Sequence, residues 1–294
     1  MNIEEWDEYK DFIKAIEEKN ATISENPVLK SVATYIFNTS GKKLRPLIIM
    51  LSAKACSGDH KRAIDASLAV EAIHTASLVH DDILDEGTTR RNMPSVHEKY
   101  NVMAAILCGD FLISKSIQWI SSYGEKVVWD FGRSGYLLCE GEVMDSMIER
   151  GQMSVEQYTE CIYKKTAALF EISARIGSRI GAGDNEKVVD AFGLYGKELG
   201  MAYQITDDLL EEFDIYEDKE SGILSDSLFS IYARTMSKSE AAKKTVKIVE
   251  GHLLEAKKAL DCVKNSDAKD KLLYLTDYVN TLLDNIRTSD ILKA

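Results

Sequence analysis

Two acidic clusters share one spacing. Asp81, Asp82 and Asp85 form a D-D-x-x-D run, and Asp207, Asp208 and Glu211 repeat it as D-D-x-x-E. On a helix, residues three or four apart point the same way, so each cluster gathers three carboxylates on one face. Like charges at that spacing destabilise a bare helix. The stretch before the first cluster, Ala72 to Val79, is largely apolar, so a cationic partner is expected there. Hard carboxylate oxygens suit Mg²⁺, commonly held by one or two carboxylates together with substrate phosphates. One such run alone reads as a solvated helix end. Two, each closing an apolar helix, suggest facing helices that clamp a diphosphate through metal.

Phosphate oxygens also need donors. Lys42 and Arg45 lie in the basic turn Gly41-Lys-Lys-Leu-Arg-Pro46, Arg90-Arg91 follows the first cluster, and Lys165-Thr166 sits in a helical stretch. Arginine suits bidentate phosphate contacts and lysine supplies a point charge. Each alone reads as a solvated surface group, so their weight is in joint occurrence. Gln204 lies one turn before Asp208 and adds a polar contact on that face. His74 precedes Asp81 by two turns and could donate to a diphosphate. His80 and His97 are expected to pack locally, and His60 and His252 to lie at the surface.

These residues need helices to position them. The only prolines, Pro27, Pro46 and Pro94, lie in the first third, so no proline interrupts helices beyond it. Helical periodicity recurs, as in Ile64-Leu68-Ala72 and from Leu272 to Ile286, while alternating strand patterns are scarce. An all-α protein of roughly ten or more helices is expected. No linker or shift in composition divides the chain, so residues 1–294 read as a single domain. Breaks are expected at Ser57–Asp59, Glu86–Pro94, Ser121–Gly124, Arg150–Met153, Gly181–Asn185 and Asp214–Asp226.

The 294 residues carry 36 basic and 48 acidic side chains, a net charge of −12. That balance argues against nucleic acid as a general partner, because phosphate backbones are held by Lys and Arg. Cys56, Cys108, Cys139, Cys161 and Cys262 form no C-x-x-C pair and fit free thiols in a reducing compartment. The N-terminus lacks the apolar core of a signal peptide, so a cytoplasmic location is expected. No apolar run approaches the roughly 20 residues that cross a bilayer, so no integral membrane segment is expected.

The stretch from His74 to Asp85, continued through Arg90-Arg91-Asn-Met-Pro94-Ser-Val-His97, closely resembles the first aspartate-rich motif of trans-isoprenyl diphosphate synthases, the polyprenyl synthetase family. Gly41 to Pro46, Gly109-Asp110, Gly141-Glu142, Lys165-Thr166 and Gly200-Met-Ala-Tyr-Gln204-Ile-Thr-Asp207-Asp208 match in the family's order. The resemblance implies a helical bundle around a central cavity, usually homodimeric, and Mg²⁺-dependent head-to-tail condensation of an allylic diphosphate with isopentenyl diphosphate. It implies Asp81, Asp85 and Asp207 as leading metal ligands, supported by Asp82, Asp208 and Glu211. Lys42, Arg45, His74 and Arg91 would hold isopentenyl diphosphate. Arg90, Lys165, Thr166 and Gln204 would face the allylic substrate. Asp81, Asp82, Asp85, Lys165, Asp207 and Asp208 are the implied catalytic set.

The chain departs from the family after the second cluster. Glu211 stands where the family usually has aspartate, and of the lysines of the following loop only Lys219 has a counterpart. Product length is a steric matter. Members that stop at fifteen carbons tend to carry aromatic residues four or five positions before the first motif. Here Ser77 and Ala76 are small, which opens about one turn, ~5.4 Å or about one isoprene unit. A product of roughly twenty to twenty-five carbons is expected, with Ile73 and Val70 as deeper barriers.

Three rival readings remain. A terpene cyclase or head-to-head enzyme on this fold would not need the basic turn and Arg91. A non-catalytic subunit would fit the altered loop but not the intact first motif. A di-iron bundle would use Glu71-x-x-His74, but such sites need a second E-x-x-H and the chain has none.

Overall fold

The computed structural model describes residues 2–37, 41–149, 151–183, 185–213 and 226–288, leaving aside the side chains of Ser57 and Thr288. The described chain is almost entirely helical, as expected. Its helices are α1 (Asp7–Thr22), α2 (Pro27–Phe37), α3 (Leu44–Ser57), α4 (Ile64–Leu84), α5 (Val96–Lys99), α6 (Val102–Ile120) and α7 (Glu125–Met147). They continue with α8 (Val155–Ile162), α9 (Ala168–Ala182), α10 (Glu186–Glu212), α11 (Leu228–Ala233), α12 (Lys238–Ala259), α13 (Asp267–Leu282) and α14 (Asp284–Thr288). One hairpin interrupts them, β1 (Thr89–Arg90) against β2 (Met93–Pro94), with Arg90 opposite Met93.

Local chemistry explains the boundaries. Pro27 opens α2 and Pro46 sits in the first turn of α3, where a missing N–H costs nothing. Ser154 and Ser237 close capping boxes with Gln157 and Glu240 at the starts of α8 and α12. Gly58 ends α3 in a left-handed conformation that suits glycine. The described parts of the expected breaks fall at or between helix ends; residues 150, 184 and 214–225, which include Lys219, lie outside the described residues.

Two buried clusters form the core. One gathers residues of α3, α9, α10, α12 and α13, and the other residues of α1, α2, α3, α4, α6 and α9. Helices α3 and α9 belong to both, so they run through the centre. The run Leu47 to Leu51 on α3 is wholly buried, as a helix apolar on every side must be. Glycine brings these backbones together. A Cβ on Gly177 of α9 would fall 2.2 Å from the carbonyl oxygen of Ile49 on α3.

Helix α4 packs chiefly on α6, while α7 packs on α9 and on the turn before it. Residues Val102–Tyr123, mostly α6, are long and apolar enough to cross a membrane by length and composition, with 33% of that window buried. The sequence expectation overlooked this stretch because Asp110 and Lys115 interrupt it. All five cysteines are free thiols, as expected. His60 and His252, expected at the surface, instead pair with Asp11 at 2.8 Å and Glu198 at 2.5 Å, each joining helices distant in sequence.

The α3–α9 crossing tolerates no side chain at Gly177. Replacing it with leucine should cost about 3 kcal/mol, the upper end for overpacked sites. Urea unfolding of Gly177→Leu beside the parent reads this, and an unchanged midpoint would contradict the close crossing.

Candidate active site

Both acidic clusters lie at helix C-termini. Asp81 and Asp82 occupy the last turn of α4, and Asp85 caps it, its N–H bonded to the carbonyl of Asp81. Asp207, Asp208 and Glu211 occupy the last turns of α10. A helix C-terminus already carries the negative end of the macrodipole, so these carboxylates add to it. Burial, then the neighbouring charge of Glu142, pushes Asp81 up to about 7. Burial pushes Asp208 up to about 7 as well, despite hydrogen bonds from Tyr158 and Gln204. Gln204 Nε2 donates to Asp208 Oδ1 at 2.7 Å, the Tyr158 hydroxyl donates to Oδ2, and Thr166 Oγ1 donates to Gln204 Oε1 at 2.8 Å.

Lys165 links the clusters. Residues Tyr163–Ala167 wind as a π-helix, a form frequent at functional sites, and this turn carries Lys165 and Thr166. Lys165 Nζ lies 2.6 Å from Asp145 Oδ2 and 3.0 Å from Glu142 Oε2 on α7. Burial opposes its charge, but those two carboxylates outweigh it and hold the ammonium above the ordinary lysine range. Lys165 and Glu142 also act on Asp81, and Asp145 acts on Asp208, so the trio is coupled to both clusters. Gly141 permits the approach, since a Cβ there would fall 2.5 Å from the Lys165 backbone nitrogen. Asp85 lines a cavity of about 260 Å³ with Asp145, Glu149 and Asp226.

These oxygens fit a hard divalent cation. Asp82 is buried; Arg90 Nε and a terminal Arg90 nitrogen reach its Oδ1 at 2.7 and 2.6 Å, and its Oδ2 is buried without a hydrogen-bond partner. Among the described residues, no three His, Cys, Asp or Glu side chains converge tightly enough to hold a metal by themselves. The remaining ligands would have to come from a bound phosphate or water, the usual habit of Mg²⁺.

A cationic cluster lies nearby: Arg45, Arg91, Lys43 and Arg90 all act on His74, and Arg90 also acts on Asp81. Arg45 donates to His74 Nε2 at 3.1 Å, and its guanidinium lies 4.6 Å from the Phe170 ring centre. Arginine cannot accept, so Nε2 is the acceptor and His74 is neutral with its proton on Nδ1. Burial and the surrounding cations hold His74 well below its ordinary value. Burial lowers Arg45 to about 10 and lowers Arg91 too, while Glu71 and Tyr203 act the other way on both. Arg91 and Asn92 both have positive φ, 52° and 60°, forming the primed type of turn that joins β1 to β2. Lys43 is left-handed as well, at 51°. Non-glycine residues in this region cost about 1 kcal/mol or more each and cluster at functional sites.

The structure couples Asp81, Lys165, Thr166, Gln204 and Asp208 in one network and Arg45, His74, Arg90 and Arg91 in another, but not every sequence candidate joins them. Lys42 is exposed and stacks over Tyr278 at 4.8 Å, whereas its neighbour Lys43 is buried and bonded to Glu71 at 2.9 Å. Glu71 therefore serves Lys43, and His74 serves Arg45, which removes the di-iron reading of that pair. Asp145, Tyr158, Tyr203 and the role of Glu71 escaped the sequence reading. Asp145 was within reach, since it lies three residues after Glu142 on the same face. On α4, Ile73 and Ser77 are half-buried on the Asp81 side, while Ala76 is 1% exposed, within the core.

A model of the polyprenyl synthetase family matches residues 26–265. The chain belongs to the polyprenyl synthetase family. It is 46% identical over 287 residues to the geranylfarnesyl diphosphate synthase of Methanosarcina mazei, covering 97% of both chains. It is 32% identical to the geranylgeranyl diphosphate synthase of Saccharolobus solfataricus, over 92% of this chain and 86% of that one. Among solved structures, a geranyltranstransferase from Methanosarcina mazei superposes with a TM-score of 0.83 at 43% identity, covering 96% of this chain and 100% of that one.

The Lys43–Glu71 pair is buried, so removing one partner strands the other charge. Glu71→Gln should cost about 3–5 kcal/mol of stability. The double substitution Lys43→Met/Glu71→Leu should recover most of it. Denaturant midpoints of the three proteins measure this, and equal loss in single and double variants would contradict the pairing.

Proposed function

We propose that this chain is a single-domain, head-to-tail prenyltransferase. It condenses isopentenyl diphosphate with an allylic diphosphate to an all-trans product of about twenty to twenty-five carbons. The observation that carries this is the pairing of an acidic mouth, built on the ends of α4 and α10, with an adjacent cationic pocket around Arg45 and Arg91. A cyclase would need only the first.

Asp81, Asp85 and Asp207 would hold Mg²⁺, with Asp208 and Glu211 in support. The metal would neutralise charge as the diphosphate leaves. Asp82 aims Arg90 at that diphosphate, and Lys165 faces it from the π-turn, beside Thr166 and Gln204. Arg45, Arg91, His74 and Lys42 hold isopentenyl diphosphate. The allylic C–O bond breaks, its electron pair leaves with the diphosphate, and the double bond of isopentenyl diphosphate attacks the carbocation. A proton is then lost, with the departed diphosphate as base. Water must be excluded so that it does not capture the cation.

A homodimer fits this reading. Met103, Leu107 and Ile117 on α6 and Trp129, Tyr136 and Met147 on α7 are exposed large apolar side chains that a partner subunit would cover. A cytoplasmic setting accords with the free thiols.

Purified protein given Mg²⁺, labelled isopentenyl diphosphate and farnesyl diphosphate should extend the chain by one or two units. Asp81→Ala should lower turnover by about 10²–10³-fold, as loss of one charge-stabilising group does. Ser77→Phe should shorten the product on reversed-phase chromatography. Absence of any extension would contradict the function, and an unchanged length with Ser77→Phe would contradict the steric reading.

A further inference from the structure

A buried tyrosine stands behind the second acidic cluster. Tyr158 of α8 is 2% exposed, so its hydroxyl is shut off from bulk water. That oxygen accepts from the backbone N–H of Leu228, the first residue of α11, and its proton goes to Asp208 Oδ2. Asp208 Oδ1 accepts from Gln204 Nε2 at 2.7 Å, and Gln204 Oε1 accepts from Thr166 Oγ1 at 2.8 Å. One hydrogen-bonded chain thus runs from the start of α11, through α8 and α10, to the π-turn.

Each link fixes the direction of the next. A backbone N–H can only donate, so Leu228 takes a lone pair of the Tyr158 oxygen and leaves the phenolic proton for Asp208. Asp208 receives a donor at each oxygen, as an ionised carboxylate does. The Gln204 amide therefore turns its nitrogen to Asp208 and its oxygen to Thr166. The frame around the chain is held as well. Tyr158 N bonds to Ser154 O at 2.9 Å in the capped first turn of α8. Ser227, just before Leu228, donates to Glu212 Oε1 at 2.6 Å at the end of α10.

We infer that Tyr158 is a positioning residue for the allylic half of the reaction: by holding Asp208 Oδ2 it keeps Oδ1 for Gln204, and so fixes which end of that amide faces the allylic substrate. This rests on the prenyltransferase reading above. Breaking the allylic C–O bond leaves positive charge on carbon, where an amide oxygen is favourable and an amide NH₂ is not. A turned amide costs turnover. It does not disturb the hold on isopentenyl diphosphate, because Arg45 and His74 pair with each other in a separate network.

Four proteins test this: the parent, Tyr158→Phe, Asp208→Asn and the two changes together, each nearly constant in volume. Turnover with farnesyl diphosphate and the KM for isopentenyl diphosphate are measured for each. Tyr158→Phe should lower turnover about tenfold, the scale of one lost hydrogen bond, and leave that KM within about twofold. Asparagine at 208 offers one oxygen and one NH₂ group. The Tyr158 proton claims the oxygen, which presents the NH₂ to Gln204 and turns that amide round, so Asp208→Asn should be slower still. Removing the hydroxyl frees the asparagine to turn its oxygen back. The double variant should therefore be faster than Asp208→Asn alone, by about threefold or more. A tyrosine that only packs, or lost stability alone, predicts the opposite order. Parent-like turnover in Tyr158→Phe, an equal loss in the KM for isopentenyl diphosphate, or a double variant no faster than Asp208→Asn overturns the positioning role. No turnover by the parent would instead defeat the prenyltransferase reading.

Discussion

The site depends on negative charge gathered at two helix ends. Helices α4 and α10 each terminate in carboxylates where the macrodipole is already negative. Both ends are partly or wholly desolvated, which is why Asp81 and Asp208 hold protons so much more tightly than ordinary aspartates. Such an arrangement is poor for a bare fold and good for binding cations. The chain tempers it with Lys165, Arg90, Tyr158 and Gln204, each engaging a carboxylate. None of these contacts neutralises both clusters, which accords with a cationic ligand at the helix ends.

The cationic pocket shows the same logic with the signs reversed. The charge of Arg91 lowers the proton affinity of half-buried Arg45, that of Arg90 does the same to Arg91, and His74 is kept neutral beside them. Glu71 offsets part of that repulsion and locks Lys43, fixing the strained turn that delivers Arg45. The Arg91 turn is strained as well. Two backbone distortions on either side of one pocket indicate that side-chain placement there outweighs local conformational comfort.

Much of the site was legible in sequence because its signals are local. Spacings of three and four residues reveal which carboxylates share a helix face, and they located both clusters and Gln204. The placement of prolines and the apolar periodicity sufficed for an all-helical fold. What escaped depends on contacts between distant segments. The π-turn at Lys165 has no sequence signal of its own. That Lys43 rather than Lys42 is buried follows from Glu71, twenty-eight residues away. His60 and His252 read as surface residues because their carboxylate partners lie on other helices. Ser77 and Ala76 are adjacent in sequence, but the helix leaves one half-buried on the Asp81 side and turns the other into the core.

The central claim is that the acidic helix ends are completed by metal and diphosphate together. Thermal unfolding with Mg²⁺ alone, inorganic diphosphate alone, and both, tests it most directly, since a ligand bound only by the folded state raises the transition temperature. The shift with both should clearly exceed the sum of the separate shifts, and should disappear in Asp81→Asn/Asp207→Asn. Additive shifts, or a diphosphate effect that needs neither metal nor these aspartates, would contradict it.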